Sequence, residues 1–244
     1  MSRSGERPAT AVPVLVRALL SVLLVIQIAV AALQGRPQAK AEDLANPPAL
    51  PILHILSGGD PVPLAQGMTL YLQAFDNQPG ISIPFADLKY DVVQTWLKRI
   101  LELDPHTQYP LLMASQLYGQ VPDEAKQRQM LTFVYEEFLR DPDRRWPWLA
   151  HAVIMARHRL HDLPLALRYA KALTERATGT SVPGWAKQMQ IFLLEDMGEY
   201  EAAKALLGGL LSSETVKDSH ELHFLFDRLE RLKNAEKSST PSGK

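Results

Sequence analysis

Apolar side chains that return every third and fourth position, in short runs broken by proline and glycine, constrain this chain of 244 residues most. Val93, Trp96, Leu97, Ile100 and Leu101 follow that spacing, as do Leu163, Ala166, Leu167, Ala170 and Leu173. So do Tyr200, Ala203, Leu207, Leu210 and Leu211, and again Leu222, Leu225, Phe226, Leu229 and Leu232. Each set makes one apolar stripe on a helix of 3.6 residues per turn. Asp104-Pro105, Asp141-Pro142, Gly179 with Pro183, and Gly198 lie between the runs, where one helix stops and the next starts. No stretch alternates polar and apolar residues with β-branched enrichment, so the expected fold class is all-α. The pattern predicts a first helix near 64–75, then helices over 88–103, 107–118, 123–140, 147–160, 162–176, 182–197, 199–211 and 218–232.

One apolar run is of another kind. From Val14 to Leu33 only Arg17, Ser21 and Gln27 interrupt 20 residues, and at about 1.5 Å per residue that run spans a hydrocarbon layer of about 30 Å. Arg3, Arg7 and Arg17 lie in or before it, which favours an N-terminus left in the cytoplasm and the remainder on the far side. Two fates are open. The run is an uncleaved signal anchor, the reading favoured here, or a signal peptide cut after Ala41, where Ala39-Lys40-Ala41 has the small-x-small pattern of such sites. The expected location is a bacterial inner membrane, single-pass, with the C-terminal domain in the periplasm; cleavage would make the protein soluble and periplasmic.

The segments expected are a cytoplasmic stretch over 1–13, the span over 14–33, a proline-rich linker over 34–63, a helical domain over 64–233 and a polar, disordered tail over 234–244. Repeated prolines hold a linker extended, and residues 52–56 interrupt this one as an edge turn or short helix packing on the body.

Charge and cysteine content narrow the function. Before Glu42 lie five basic residues and one acid; the chain's remaining 21 basic and 26 acidic residues give the body a net charge of −5. A mildly acidic domain without a basic stripe is a poor match for nucleic acid, whose recognition rests on phosphate neutralisation. The absence of cysteine excludes disulfides, thiolate metal sites, cysteine nucleophiles and lipid attachment.

A repeat is visible. Asp162-Leu163-Pro164-Leu165-Ala166 aligns with Glu199-Tyr200-Glu201-Ala202-Ala203 at an offset of 37 residues, and Asp123-Glu124-Ala125 is a looser copy. Unequal periods of this size point to stacked helical hairpins. Met197-Gly198-Glu199-Tyr200-Glu201-Ala202-Ala203 resembles the turn into the second helix of a tetratricopeptide repeat. Leu101-Glu102-Leu103-Asp104-Pro105 resembles the way such repeats end, and Ala166 and Ala203 match the family's small position. The chain is thus similar to a degenerate member of the tetratricopeptide-repeat superfamily, best over 145–211. The family's first-helix signature, W-x-x-L-G-x-x-Y, is not cleanly present, and the spacing wanders from its period. The resemblance implies a right-handed α-solenoid of stacked hairpins with a concave face that binds a peptide or helix of another protein.

Chemistry is sparse. His151, His158 and His161 fall within one arc of a helix, but Arg157 and Arg159 flank them, and a polar surface is the better reading than a metal site. His220 and His223 are three apart where the zinc-protease motif needs four. Glu136 and Glu137 point about 100° apart on a helix and make no acid–base pair. Phosphate-loop and nucleophile-elbow patterns are absent. Arg144-Arg145-Trp146-Pro147-Trp148 carries the residue types of binding hot spots. A structural reading competes, in which Pro147 starts a helix and both tryptophans pack between hairpins. Trp96 and Trp185 each sit on an apolar stripe and are expected in the core. The candidate partner-binding residues are Arg144, Arg145, Trp146, Arg157, His158 and Arg168. No catalytic residue, metal or cofactor is expected. The expected function is a membrane-anchored interaction or scaffolding module of the cell envelope, partnered by another envelope protein or peptide. The rival is an enzyme or enzyme subunit that handles cell-wall or exopolysaccharide polymer.

Overall fold

The structure, a computed structural model, describes residues 12–33, 41–212 and 219–239. These fall into two compact units, one holding the first helix together with Pro79–Ile81 and one holding the rest. The cleavage motif at 39–41 lies mostly outside the described residues. Helix α1 (Val14–Leu33) is long and apolar enough to cross a membrane or to serve as a signal sequence. None of its residues is buried.

The second unit is built from α2 (Leu50–Leu56), α3 (Pro61–Ala74), α4 (Tyr90–Leu103), α5 (Tyr109–Leu112), α6 (Glu124–Phe138), α7 (Pro142–His158), α8 (Leu163–Arg176), α9 (Gly184–Asp196), α10 (Tyr200–Ser212) and α11 (Ser219–Ser239). Two strands of two residues each, β1 (Asn77–Gln78) and β2 (Ile81–Ser82), form the only sheet among the described residues. The all-α expectation therefore stands, with one apolar helix in front of it.

Local chemistry explains the boundaries. Asp60, Asp123 and Asp162 cap α3, α6 and α8, their side chains accepting from the backbone N–H of Val62, Lys126 and Leu165 at 3.1, 3.1 and 2.9 Å. These bonds satisfy donors that a helix start leaves free. At the end of α9, Gly198 adopts φ +77°. Its N–H donates to Glu195 O at 3.0 Å while that of Glu199 reaches back to Leu194 O at 2.8 Å, closing the helix in a Schellman motif.

Three departures from the sequence reading have physical causes. Helix α7 starts at Pro142 rather than Pro147, because a proline in the first turn gives up no hydrogen bond; Pro147 lies inside the helix. The run expected as one helix over 107–118 is α5 followed by a π-helical turn over Met113–Leu117 and a 3-10 turn over Tyr118–Gln120. There the backbone folds so tightly that a Cβ on Gly119 would lie 2.8 Å from the Ala114 carbonyl oxygen. Third, from Glu42 onward the segment read as a spacer is strapped to the body. Leu44 and Leu53 are buried, Trp96 Nε1 donates to Ala45 O at 2.8 Å, and Gln78 bonds both the N–H and the C=O of Glu42 at 2.8 Å. At the other end α11 runs to Ser239, into the stretch expected as a disordered tail; 240–244 lie outside the described residues.

From α6 to α11 each helix packs chiefly on its neighbours in the chain. Side chains also tie several helices to the one two places on. Gln129 of α6 bonds Gln94 of α4 at 3.1 Å, across 35 residues. Arg128 of α6 meets Asp162 at the start of α8 at 2.5 Å, across 34. Trp146 of α7 packs edge-to-face on Trp185 of α9 with centroids 5.4 Å apart. Arg228 of α11 forks onto Glu195 of α9, across 33. One core cluster runs from Leu44 to Leu193, and a smaller one joins Ile191, Leu194, Ala203, Leu207, Leu225 and Leu232 of α9 to α11.

Candidate functional site

A groove of about 490 Å³ lies between α3 and the α4–α5 corner. Its size is that of pockets which hold a ligand or a few side chains of a partner. Ala65 and Ile100 form an apolar floor, Gln66, Thr69, Leu70 and Gln73 of α3 make one wall, and Asp104 and Tyr109 make the other. Gln73 Nε2 donates to the Tyr109 hydroxyl at 2.5 Å, bridging the walls. Thr69 Oγ1 donates to Ala65 O at 2.8 Å and so holds its rotamer within α3. Leu70 stands 66 % exposed on the rim. Amide and hydroxyl groups around apolar surface suit binding of a polypeptide side chain or turn. Among the described residues Asp104 is the one carboxylate lining the groove, so no pair of acids is arranged there for general acid–base work.

The residues singled out in the sequence do not meet in one place. Arg145 is buried. Its Nη1 donates to the Glu137 carboxylate at 2.7 Å and to Glu137 O at 2.8 Å, and its Nη2 to Pro105 O at 3.3 Å. This guanidinium ties the end of α6 and the start of α7 to the loop after α4, and it is unavailable to a partner. The expectation for Arg145 is thereby corrected. A signal for this lay in the spacing, because Arg145 shares the stripe of Leu149, Ala152 and Ala156, and Glu137 that of Met130, Phe133 and Val134.

Arg144 is exposed, paired with Asp141 at 3.3 Å and touching His106 Nδ1. Trp146 is half-buried against Trp185, and Trp148 Nε1 donates to Gln108 Oε1 at 2.6 Å. Trp185, expected in the core, is 51 % exposed, whereas Trp96 is buried. Arg157 pairs with Asp196 at 2.5 Å, and His158 is exposed at the end of α7. Arg168 lies over Tyr135 and Tyr169, 5.4 and 5.3 Å from the ring centroids, and those rings stack at 5.2 Å. Of the six candidates, Arg144, His158 and Arg168 are the exposed ones.

His151 is half-buried beside the π-helical turn, with Ser115 its backbone partner, and burial pulls its imidazole below the usual range. Its Nε2 is buried without a hydrogen-bond partner among the described residues. His158 is exposed, and His161 occupies the left-handed turn before α8 at φ +50°. Among the described residues no three His, Asp or Glu side chains group to hold a metal ion.

Leu70, Gln73 and Tyr109 of the groove were not legible as site residues in the sequence. The two walls are 36 residues apart and carry no motif. No family model matches the chain, and neither does any curated protein or solved structure compared with it.

Proposed function

We propose that the chain is a membrane-anchored helical-repeat protein, similar to the tetratricopeptide-repeat superfamily, that faces the periplasm and binds a peptide or helix of another envelope component without catalysis of its own. One observation carries this reading. The links between alternate helices recur at separations of 33 to 39 residues, from Gln73–Tyr109 through Gln94–Gln129, Arg128–Asp162, Asp143–Gly179, Trp146–Trp185 and Arg157–Asp196 to Glu195–Arg228. Contacts that return once per hairpin length are what a stack of hairpins requires, since each unit touches its neighbours alone. A stack of that kind leaves one edge open along its length. The groove between α3 and the α4–α5 corner is the recess such a partner would enter, and the apolar α1 supplies the attachment.

The test is site-specific photo-crosslinking in intact cells. A photoreactive residue at Leu70 is expected to capture a discrete envelope polypeptide, and Tyr109→Ala in the same chain to abolish the capture. Crosslinks from Arg168 in place of Leu70 would move the binding face to α8. The reading fails if neither position captures a polypeptide.

A further inference from the structure

Helix α2 is apolar on both sides. Leu53 (2 % exposed) and half-buried Leu50 pack on the core. Ile52, Ile55 and Leu56 point the other way and are 51, 80 and 65 % exposed. Residues at i, i+3 and i+4 share one helix face, so these three aliphatic chains form a single ridge. A helix that is hydrophobic all round is normally enclosed, and here only one side is. Ser57 closes the helix through its N–H to Leu53 O at 2.9 Å and its Oγ to His54 O at 2.8 Å, and the Asp60 cap of α3 follows directly.

The surroundings indicate what covers it. From Leu44 to Gly59 the chain carries no Asp, Glu, Lys or Arg, an absence that suits contact with acyl chains rather than with a charged rim. Eight residues, 34–41, separate the end of α1 from Glu42, which Gln78 holds on the body. At about 3.5 Å per residue they reach at most about 28 Å. A body on so short a tether stays near the bilayer whenever α1 is inserted. We infer that the Ile52–Ile55–Leu56 face of α2 rests on the lipid surface and sets the body's orientation against the membrane. This rests on the anchored reading of α1. The contact is that of an interfacial helix, its apolar face in the headgroup–acyl boundary.

The chain contains no cysteine, so one introduced thiol carries a fluorophore uniquely. The experiment uses the full chain in phosphatidylcholine nanodiscs, with bimane on Ile55→Cys, on Ile52→Cys and, separately, on Val25→Cys in α1. Replacing ordinary lipid by lipid brominated in its acyl chains quenches a bimane that touches them. The expected result is loss of most emission at 25 and at both α2 positions. Quenching at 25 with full emission at 52 and 55 overturns the inference and leaves the anchor standing; a blue-shifted but unquenched spectrum there assigns the ridge to a protein partner or a second copy. Quenching at 52 and 55 alone keeps the lipid contact and removes the anchor. Absence of quenching at all three positions ends both.

Discussion

Arg145 and Glu137 are 4 and 2 % exposed, so their charges are compensated by each other, by Arg140 at 2.8 Å from the second Glu137 oxygen, and by the Pro105 carbonyl. Removing one partner of such a pair strands the other in a poorly solvated site and costs about 3–5 kcal/mol. Arg145→Ala should lower stability by that amount in urea unfolding, while Arg144→Ala, one residue away but exposed, stays within about 0.5 kcal/mol. Equal effects at the two positions would contradict the buried-pair description. His151 gives a pH signature. Its folded pKa lies below its unfolded value of about 6.5, so the unfolded chain binds the extra proton in that window and stability rises with pH. Stability from this group is present above about pH 6.5 and is lost as the pH falls toward the lowered folded value. Denaturation midpoints should therefore drop between pH 7.5 and pH 5.5, and His151→Gln should flatten that drop. An unchanged slope in the variant would rule His151 out as its source.

Among elements, the α7–α8 junction concentrates the most interactions. Asp162 caps α8, accepts from Arg128 of α6 at 2.5 Å, and follows the left-handed His161. Arg128 is foremost in holding its carboxyl below the usual range, with the Leu165 N–H second. A lowered carboxyl pKa stabilises the fold above the unfolded value of about 3.9 and is lost as the pH falls through the folded one. At neutral pH Asp162→Ala should cost about 1–2 kcal/mol for the cap, read as a shift in the unfolding midpoint, and Asp162→Asn should recover part of it because asparagine also caps. If asparagine recovers nothing, the ion pair to Arg128 dominates. The helix stripes themselves were plain in the sequence: Val93, Trp96, Leu97, Ile100 and Leu101 are all buried on α4. Trp185 was misread because the stripe on α9 runs through Ala186, Ile191, Leu193 and Leu194, and the indole lies off it. The π-helical turn after α5 was not legible, since nothing in Met113–Leu117 departs from ordinary helical composition.

At the scale of the molecule, stability is uneven. The main core joins α2 through α9, whereas α10 and α11 share the smaller cluster around Leu207 and Leu225. Regions with fewer buried apolar side chains open at lower free energy. Hydrogen exchange should find amides of α10 and α11 exchanging well before those of α6 to α8. Protection that is uniform from α6 to α11 would show the array to open as one unit. The same chain-order packing makes the contacts local in sequence, which explains how much of the architecture could be read one run at a time.

What the sequence by itself determined is the helical content, the stripes and the apolar run at 14–33, because each depends on residues within a turn or two of one another. Tertiary structure alone decided that Arg145 is a buried strut, that the proline-rich stretch from Glu42 is strapped to the body, and that Leu70, Gln73 and Tyr109 share a groove. Those outcomes join side chains tens of residues apart, and an isolated stripe shows which face of a helix is covered but not which partner covers it.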